Sequence, residues 1–206
     1  MAPPNQPRMQ ASNTVQIDSH AAATLRYIRS SMDAATALAV PGSAGIAMGV
    51  IGILAMLLCW VPGLAAYWLS IWLCAAIVAA IIGGVLVLRP ASLHTLALSG
   101  APVRKFALCL LPSLFAGAVL TVVLSLHDVQ VVIPGTWLVL YGCALIPASV
   151  STRQSVGVMG ASFAALGLLA LAMPLHVQML LLGAGFGGLH LGFGVWLSRR
   201  THGREA

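Results

Sequence analysis

Apolar residues come in long blocks along this chain, separated by short polar interruptions. A hydrocarbon layer of roughly 30 Å needs about 20 apolar residues per helix at 1.5 Å rise per residue. Six blocks reach that length: Gly42–Trp60, Ala65–Leu88, Phe106–Leu126, Val131–Val150, Val156–Leu175 and Val177–Leu197. Runs of this length fit helices, which satisfy their own backbone polar groups inside lipid. The expected fold is therefore all-α, a polytopic membrane bundle of six transmembrane helices. Pro134-Gly135 reads as a turn after Asp128, with the fourth helix starting as late as Trp137.

Ahead of the first block the pattern changes. Residues 1–17 are rich in Pro, Asn, Gln and Ser and are expected to form a disordered cytoplasmic tail. Over 18–40, Ala21, Leu25, Ile28, Met32, Ala35 and Ala39 recur at spacings of three and four. Arg26, Arg29, Ser30 and Asp33 fall on the opposite arc, and Asp18 or Ser19 can cap the start. This predicts a cytoplasmic interfacial amphipathic helix, apolar side down, with Arg26 and Arg29 at the membrane surface near anionic head groups. A helix packed beneath the bundle is the other reading. Pro41-Gly42 then turns the chain into a six-helix domain over 41–198, and 199–206 forms a second cytoplasmic tail. The first forty residues hold no apolar core of a signal peptide, so the first span is expected to act as an uncleaved anchor.

Composition removes whole classes of function. Of 206 residues, 60% are hydrophobic and only 7% charged, against about 25% charged in soluble domains. That excludes a soluble enzyme, a coiled coil and a secreted disulfide scaffold. No loop is long enough to hold an ATPase, kinase or DNA-binding module. The net charge of +6 suggests nucleic acid until the cations are placed. Arg8, Arg26, Arg29, Arg89, Arg104, Lys105, Arg153, Arg199, Arg200 and Arg204 all fall in segments on one side of the expected bundle. This is the positive-inside distribution, so both termini are expected in the cytoplasm of a bacterial inner membrane, with no direct nucleic-acid binding.

Chemistry-bearing residues are few. The four acids, Asp18, Asp33, Asp128 and Glu205, all lie outside the spans, where a pump or an intramembrane acid protease would need one inside. Neither His-Glu-x-x-His nor Gly-x-Ser-x-Gly occurs. No enzyme, catalytic residue, cofactor or metal centre is expected. Cys59, Cys74, Cys109 and Cys143 have no ligand spacing and read as small buried apolar side chains. His190 is the exception, roughly 13 Å inside the cytoplasmic end. An unpaired imidazole in hydrocarbon costs several kcal/mol, so it must bridge helices by a hydrogen bond or contact a ligand, proton or metal. His127, Asp128 and His176 form a weaker outer polar group, suited to zinc or pH sensing if the loops meet. Gly45/Gly49, Gly183/Gly187 and Gly188/Gly192 are GxxxG pairs, which pack helices within one chain or form a homodimer seam.

Two resemblances bear on function. The stretch Arg89 to Lys105, with Thr95-Leu96 ahead of Pro102-Val103 and a basic residue, is similar to the cytoplasmic coupling loop of small ABC-type permeases. The glutamate usual ahead of the Thr is replaced by Ser92-Leu93-His94. Over nearly the whole chain, Leu25-Arg26-Tyr27-Ile28-Arg29, Ala39-Val40-Pro41-Gly42, Pro134-Gly135-Thr136-Trp137-Leu138, Tyr141-Gly142 and Gly185-Phe186-Gly187-Gly188-Leu189-His190 resemble a family of small bacterial six-span integral membrane proteins. These are generally labelled hypothetical, and their genes neighbour winged-helix regulators. The resemblance implies the topology, singles out His190 and hints at a sensing or regulated membrane role. The expected function is a non-enzymatic sensor or regulatory component, with the bilayer, a cytoplasmic regulator or a second copy as partner. The alternatives are a permease subunit served by a separate ATPase, a carrier with a cavity near His190, and a purely structural component.

Overall fold

Pro41 ends the segment before it in an extended conformation (φ −71°, ψ 141°) and caps the first helix, a place where its fixed φ and missing N–H are tolerated. The computed structural model describes residues 24–25, 27–28, 40–93, 101–152 and 154–202, and every regular element among them is helical. From Pro41 the chain forms α1 (Gly42–Cys59), α2 (Trp68–Leu93), α3 (Ala101–Leu126), α4 (Ile133–Ala148) and α5 (Gln154–Leu171). A final element, α6, follows in three consecutive parts: α-helical Leu175–Gly183, π-helical Ala184–Leu189 and α-helical His190–His202. Short 3-10 turns (Ala65–Tyr67, Gln130–Val132, Ser149–Ser151) join several of them. Gly63 at φ 89° and Asp128 at φ 57° reverse the chain in two connections, using residue types that tolerate the left-handed region.

Six helices are long and apolar enough to cross a membrane: Gly42–Cys59, Ala65–Leu88, Val103–Leu126, Gln130–Ala148, Gln154–Leu171 and Leu175–Arg199. Their outer faces carry large apolar side chains, Phe115 at 73% exposure among them, with Ile77, Ile81 and Leu168 comparably bare. Water would oppose so much contiguous apolar surface.

Several boundaries differ from expectation. The fourth helix begins at Ile133, not near Trp137, because Pro134 falls in the first turn, where its missing N–H breaks no helical bond. The fifth ends at Leu171 and the sixth starts at Leu175, since Pro174 is extended (ψ 157°) and starts a new helix. Helix α2 continues to Leu93 and α3 begins at Ala101, so much of the expected middle loop is helical. Cys74 and Cys143 are exposed rather than buried. Thr24, Leu25, Tyr27 and Ile28, in the unit Met1–Ala37, are helical and exposed. Arg26, Arg29, the tail 1–17, most of the expected surface helix and residues 94–100 lie outside the described residues.

Glycine determines how closely the helices approach. A Cβ on Gly142 would sit 2.5 Å from the Ala164 nitrogen and 2.6 Å from the Gly160 carbonyl, so α4 and α5 meet backbone to backbone. Helices α1 and α6 do the same. A Cβ on Gly49 would lie 2.5 Å from the Leu191 nitrogen, one on Gly52 2.7 Å from the Gly187 nitrogen, and one on Gly45 3.0 Å from the Gly194 Cα. Gly183 faces Met56. Gly188 and Gly192 point elsewhere, with nothing within 4 Å of the added Cβ. Helix α2 leans on α1 and α3 leans on α4, while among the described residues α2 and α3 hardly touch one another. A cleft remains between them.

Candidate ligand-binding cleft

On α4, Leu138, Tyr141 and Leu145 share one buried face, as spacings of three and four dictate. Phe163 projects from α5 and Phe186 and His190 from α6 to the same point. Tyr141 lies edge-on to Phe163 at 4.9 Å between ring centres and 5.1 Å from Phe186. Phe186 and His190, four residues apart on α6, are nearly parallel at 15° and 6.0 Å. Trp72 of α2 reaches Phe186 at 6.3 Å. The cluster therefore ties four helices around one imidazole.

His190 is 3% exposed, and its Nε2 lies 2.9 Å from the Tyr141 hydroxyl. Its Nδ1 is buried without a hydrogen bond of good geometry. The carbonyls of Phe186 and Gly185 are the backbone groups in its neighbourhood. The preceding six residues are π-helical, a local widening often found where a helix must aim a side chain.

Above this floor lies a cavity of about 420 Å³. One wall is α2, lined from Trp68 through Ala76, Ala80 and Gly84 to Leu88; the other is α3, lined by Phe106, Leu110 and Leu114. Tyr141, Phe186 and His190 line it between them, with Ser155 as a further polar residue. A site of this size, mainly apolar with a few convergent polar groups, has the make-up of a small-molecule pocket.

Two more polar ties brace the same half of the bundle. Gln178 of α6 is 1% exposed; its Oε1 accepts the Gly135 N–H at 3.3 Å, and its Nε2 donates to the Met173 carbonyl at 2.9 Å. It thus satisfies a first-turn donor of α4 that has no partner within its own helix. The Trp137 indole N–H donates to Thr121 Oγ1 at 2.9 Å, and that hydroxyl donates to the Gly117 carbonyl at 2.7 Å.

The remaining expected residues are scattered. His127 and Asp128 are exposed just beyond α3, where Asp128 N–H and Val129 N–H bond back to Ser125 and Leu124. His176 is exposed in the first turn of α6, whose opening part packs on α1, α4 and α5 rather than on α3. Among the described residues, no three His, Cys, Asp or Glu side chains are grouped to hold a metal ion, so the outer trio is not assembled. Gly45, Gly49, Gly183 and Gly187 lie between α1 and α6, and of these four Gly45 also lines the cleft. Sequence reading isolated His190 but missed Tyr141, Phe163 and Phe186 around it, and Gln178 as a separate tie. An intramembrane Gln or Tyr is itself a signal of a needed partner; only the fold identifies that partner. No family model matches the chain, and no curated protein or solved structure is significantly similar to it.

Proposed function

We propose that this chain is a non-enzymatic, six-span protein of a bacterial inner membrane that binds a membrane-dissolved ligand in the cleft beside His190 and so acts as a sensor or regulatory component. The observation that carries this reading is a buried, hydrogen-bonded Tyr141–His190 pair at the base of an apolar cleft whose two walls barely touch. A polar pair in hydrocarbon is costly unless packing or binding needs it. The pair has the wrong company for acid–base or nucleophilic chemistry, since neither an acid nor a nucleophilic thiol lines the cleft among the described residues. Cation placement supports cytoplasmic ends. The exposed Leu25, Tyr27 and Ile28 support a segment that docks on the inner leaflet, where Arg26 and Arg29 would meet head groups.

A carrier or permease subunit is the second reading, favoured by a cleft lined along most of α2. Affinity purification separates the two: a winged-helix regulator favours the sensor, and an ATPase favours the permease. The binding step has its own test, native mass spectrometry of the full chain released from membranes in mild detergent. Wild type is expected to carry a lipophile, and Gly84→Phe to lose at least about tenfold of that occupancy, equivalent to ~1.4 kcal/mol. Gly84 lines the cleft with open space at its Cβ, so the phenyl ring fills the site without straining the helix. Gly188→Phe, on the open side of α6, should retain the ligand. A wild-type chain that carries nothing, or a Gly84→Phe chain that carries as much, overturns the reading.

A further inference from the structure

The chemistry of the cleft narrows its occupant, on the premise that the cleft binds a ligand as proposed above. Among the described residues no Asp, Glu, Lys or Arg lines it. An ion seated there would lose its hydration and gain no counter-charge. The occupant is neutral. Lining residues run from Trp68 to Leu88 along α2, about 30 Å of helix at 1.5 Å per residue. The volume of the cleft is nevertheless only about 420 Å³. Long and narrow, the space suits one extended hydrocarbon chain better than the two tails of a phospholipid.

The polar end follows from counting donors and acceptors. Nδ1 of His190 has no hydrogen bond of good geometry, and the carbonyls of Gly185 and Phe186, five and four residues back on the same helix, are the backbone groups beside the ring. Carbonyl oxygens repel a nitrogen lone pair and tolerate an N–H, so the ring proton is assigned to Nδ1. Nε2 is then the acceptor, and the Tyr141 hydroxyl donates to it across 2.9 Å. With its proton so engaged, the phenol oxygen has only lone pairs to offer. A ligand group that meets it must donate. Ethers, esters and ketones cannot donate to it, and a carboxylic acid or an amine must first give up its charge to enter. A terminal hydroxyl donates to the Tyr141 oxygen without that cost.

We infer that the cleft binds an uncharged, single-chain lipophilic alcohol, its hydrocarbon chain lying between α2 and α3 and its hydroxyl donating to the Tyr141 oxygen. The test uses the full chain in nanodiscs of a neutral lipid, photolabelled with a long straight-chain primary alcohol that carries a diazirine. Unlabelled alcohol should protect the chain about tenfold better than its methyl ether, the usual consequence of leaving a buried polar group unpaired. The matching carboxylic acid should protect no better than the ether. Tyr141→Phe should bring the alcohol down to the level of the ether and leave the ether unchanged. An ether or acid that protects wild type as well as the alcohol, or a preference that survives Tyr141→Phe, overturns the inference and leaves the cleft as a binding site. Labelling that no competitor reduces, or that Gly84→Phe leaves intact, overturns the underlying reading as well. The wild-type comparison decides even if Tyr141→Phe does not fold.

Discussion

Helices α4 and α5 on one side, and α2 and α3 on the other, are all apolar enough to cross a membrane but are packed differently. Half of the fourth span (50%) and 22% of the fifth are buried inside the bundle, against 6% of the second and 11% of the third. The walls are the more apolar of the two pairs, and small residues and polar ties hold the other pair together. Gly142, Gly160 and Gly167 bring α4 and α5 into backbone contact, and Gln178 fastens the start of α4 to α6. Helix α2 offers Ala76, Ala80 and Gly84 to an open space instead. Between apolar helices in lipid no hydrophobic force favours closure, so association follows from close packing and hydrogen bonds. One pair is a closely packed scaffold, and the other forms the two walls of the cleft.

Substitutions can break that contrast, beginning with the tightest contact. Gly142→Leu should destabilise the bundle by ~3 kcal/mol, the upper end for overpacking, because its side chain would meet the backbone of Gly160 and Ala164. Gly84→Leu, on a wall of the cleft, should stay within ~0.5 kcal/mol of wild type. Thermal unfolding in detergent measures both, and equal effects would erase the distinction between scaffold and wall. Gln178→Leu comes next, at about 1–3 kcal/mol, since it leaves the Gly135 N–H and the Met173 carbonyl without their partner. Its expected signature is faster hydrogen exchange at the first turn of α4, with α2 unaffected. Trp137→Phe should cost least, about 0.6 kcal/mol, near the mean for hydrogen bonds between membrane helices. Thr121 keeps its bond to the Gly117 carbonyl after the indole N–H is gone, and the same melting assay should show only a small shift.

The six long helices were legible because span length and apolar content are local properties of a sequence. Their ends were less so. Pro134 looked like a break, but a proline within the first turn is compatible with a helix. His190 stood out as the one ionisable residue deep in an apolar run. Its partner did not, because Tyr141 is 49 residues away, and no periodicity specifies which helices become neighbours. Gln178 was hidden by the leucines around it, which dominate any averaged hydropathy. The two GxxxG pairs of α6 look equivalent in sequence. Of the two pairs only Gly183 and Gly187 face α1, because Gly188 lies about 80° further round the π-helical turn. The outer histidines failed to meet because loop proximity depends on which helices pack, and α3 and the start of α6 are not close neighbours.

The π-helical turn of α6 also corrects the angular phase of that helix. In an ordinary α-helix each four-residue step overshoots a full turn by about 40°. Gly183, Gly187 and Leu191 follow one another by fours, and all three rest on α1. The larger number of residues per turn over Ala184–Leu189 offsets the drift that would otherwise carry the third of them off the seam. The same adjustment brings His190 round to Tyr141, so a single local unwinding keeps both the zipper and the imidazole in alignment.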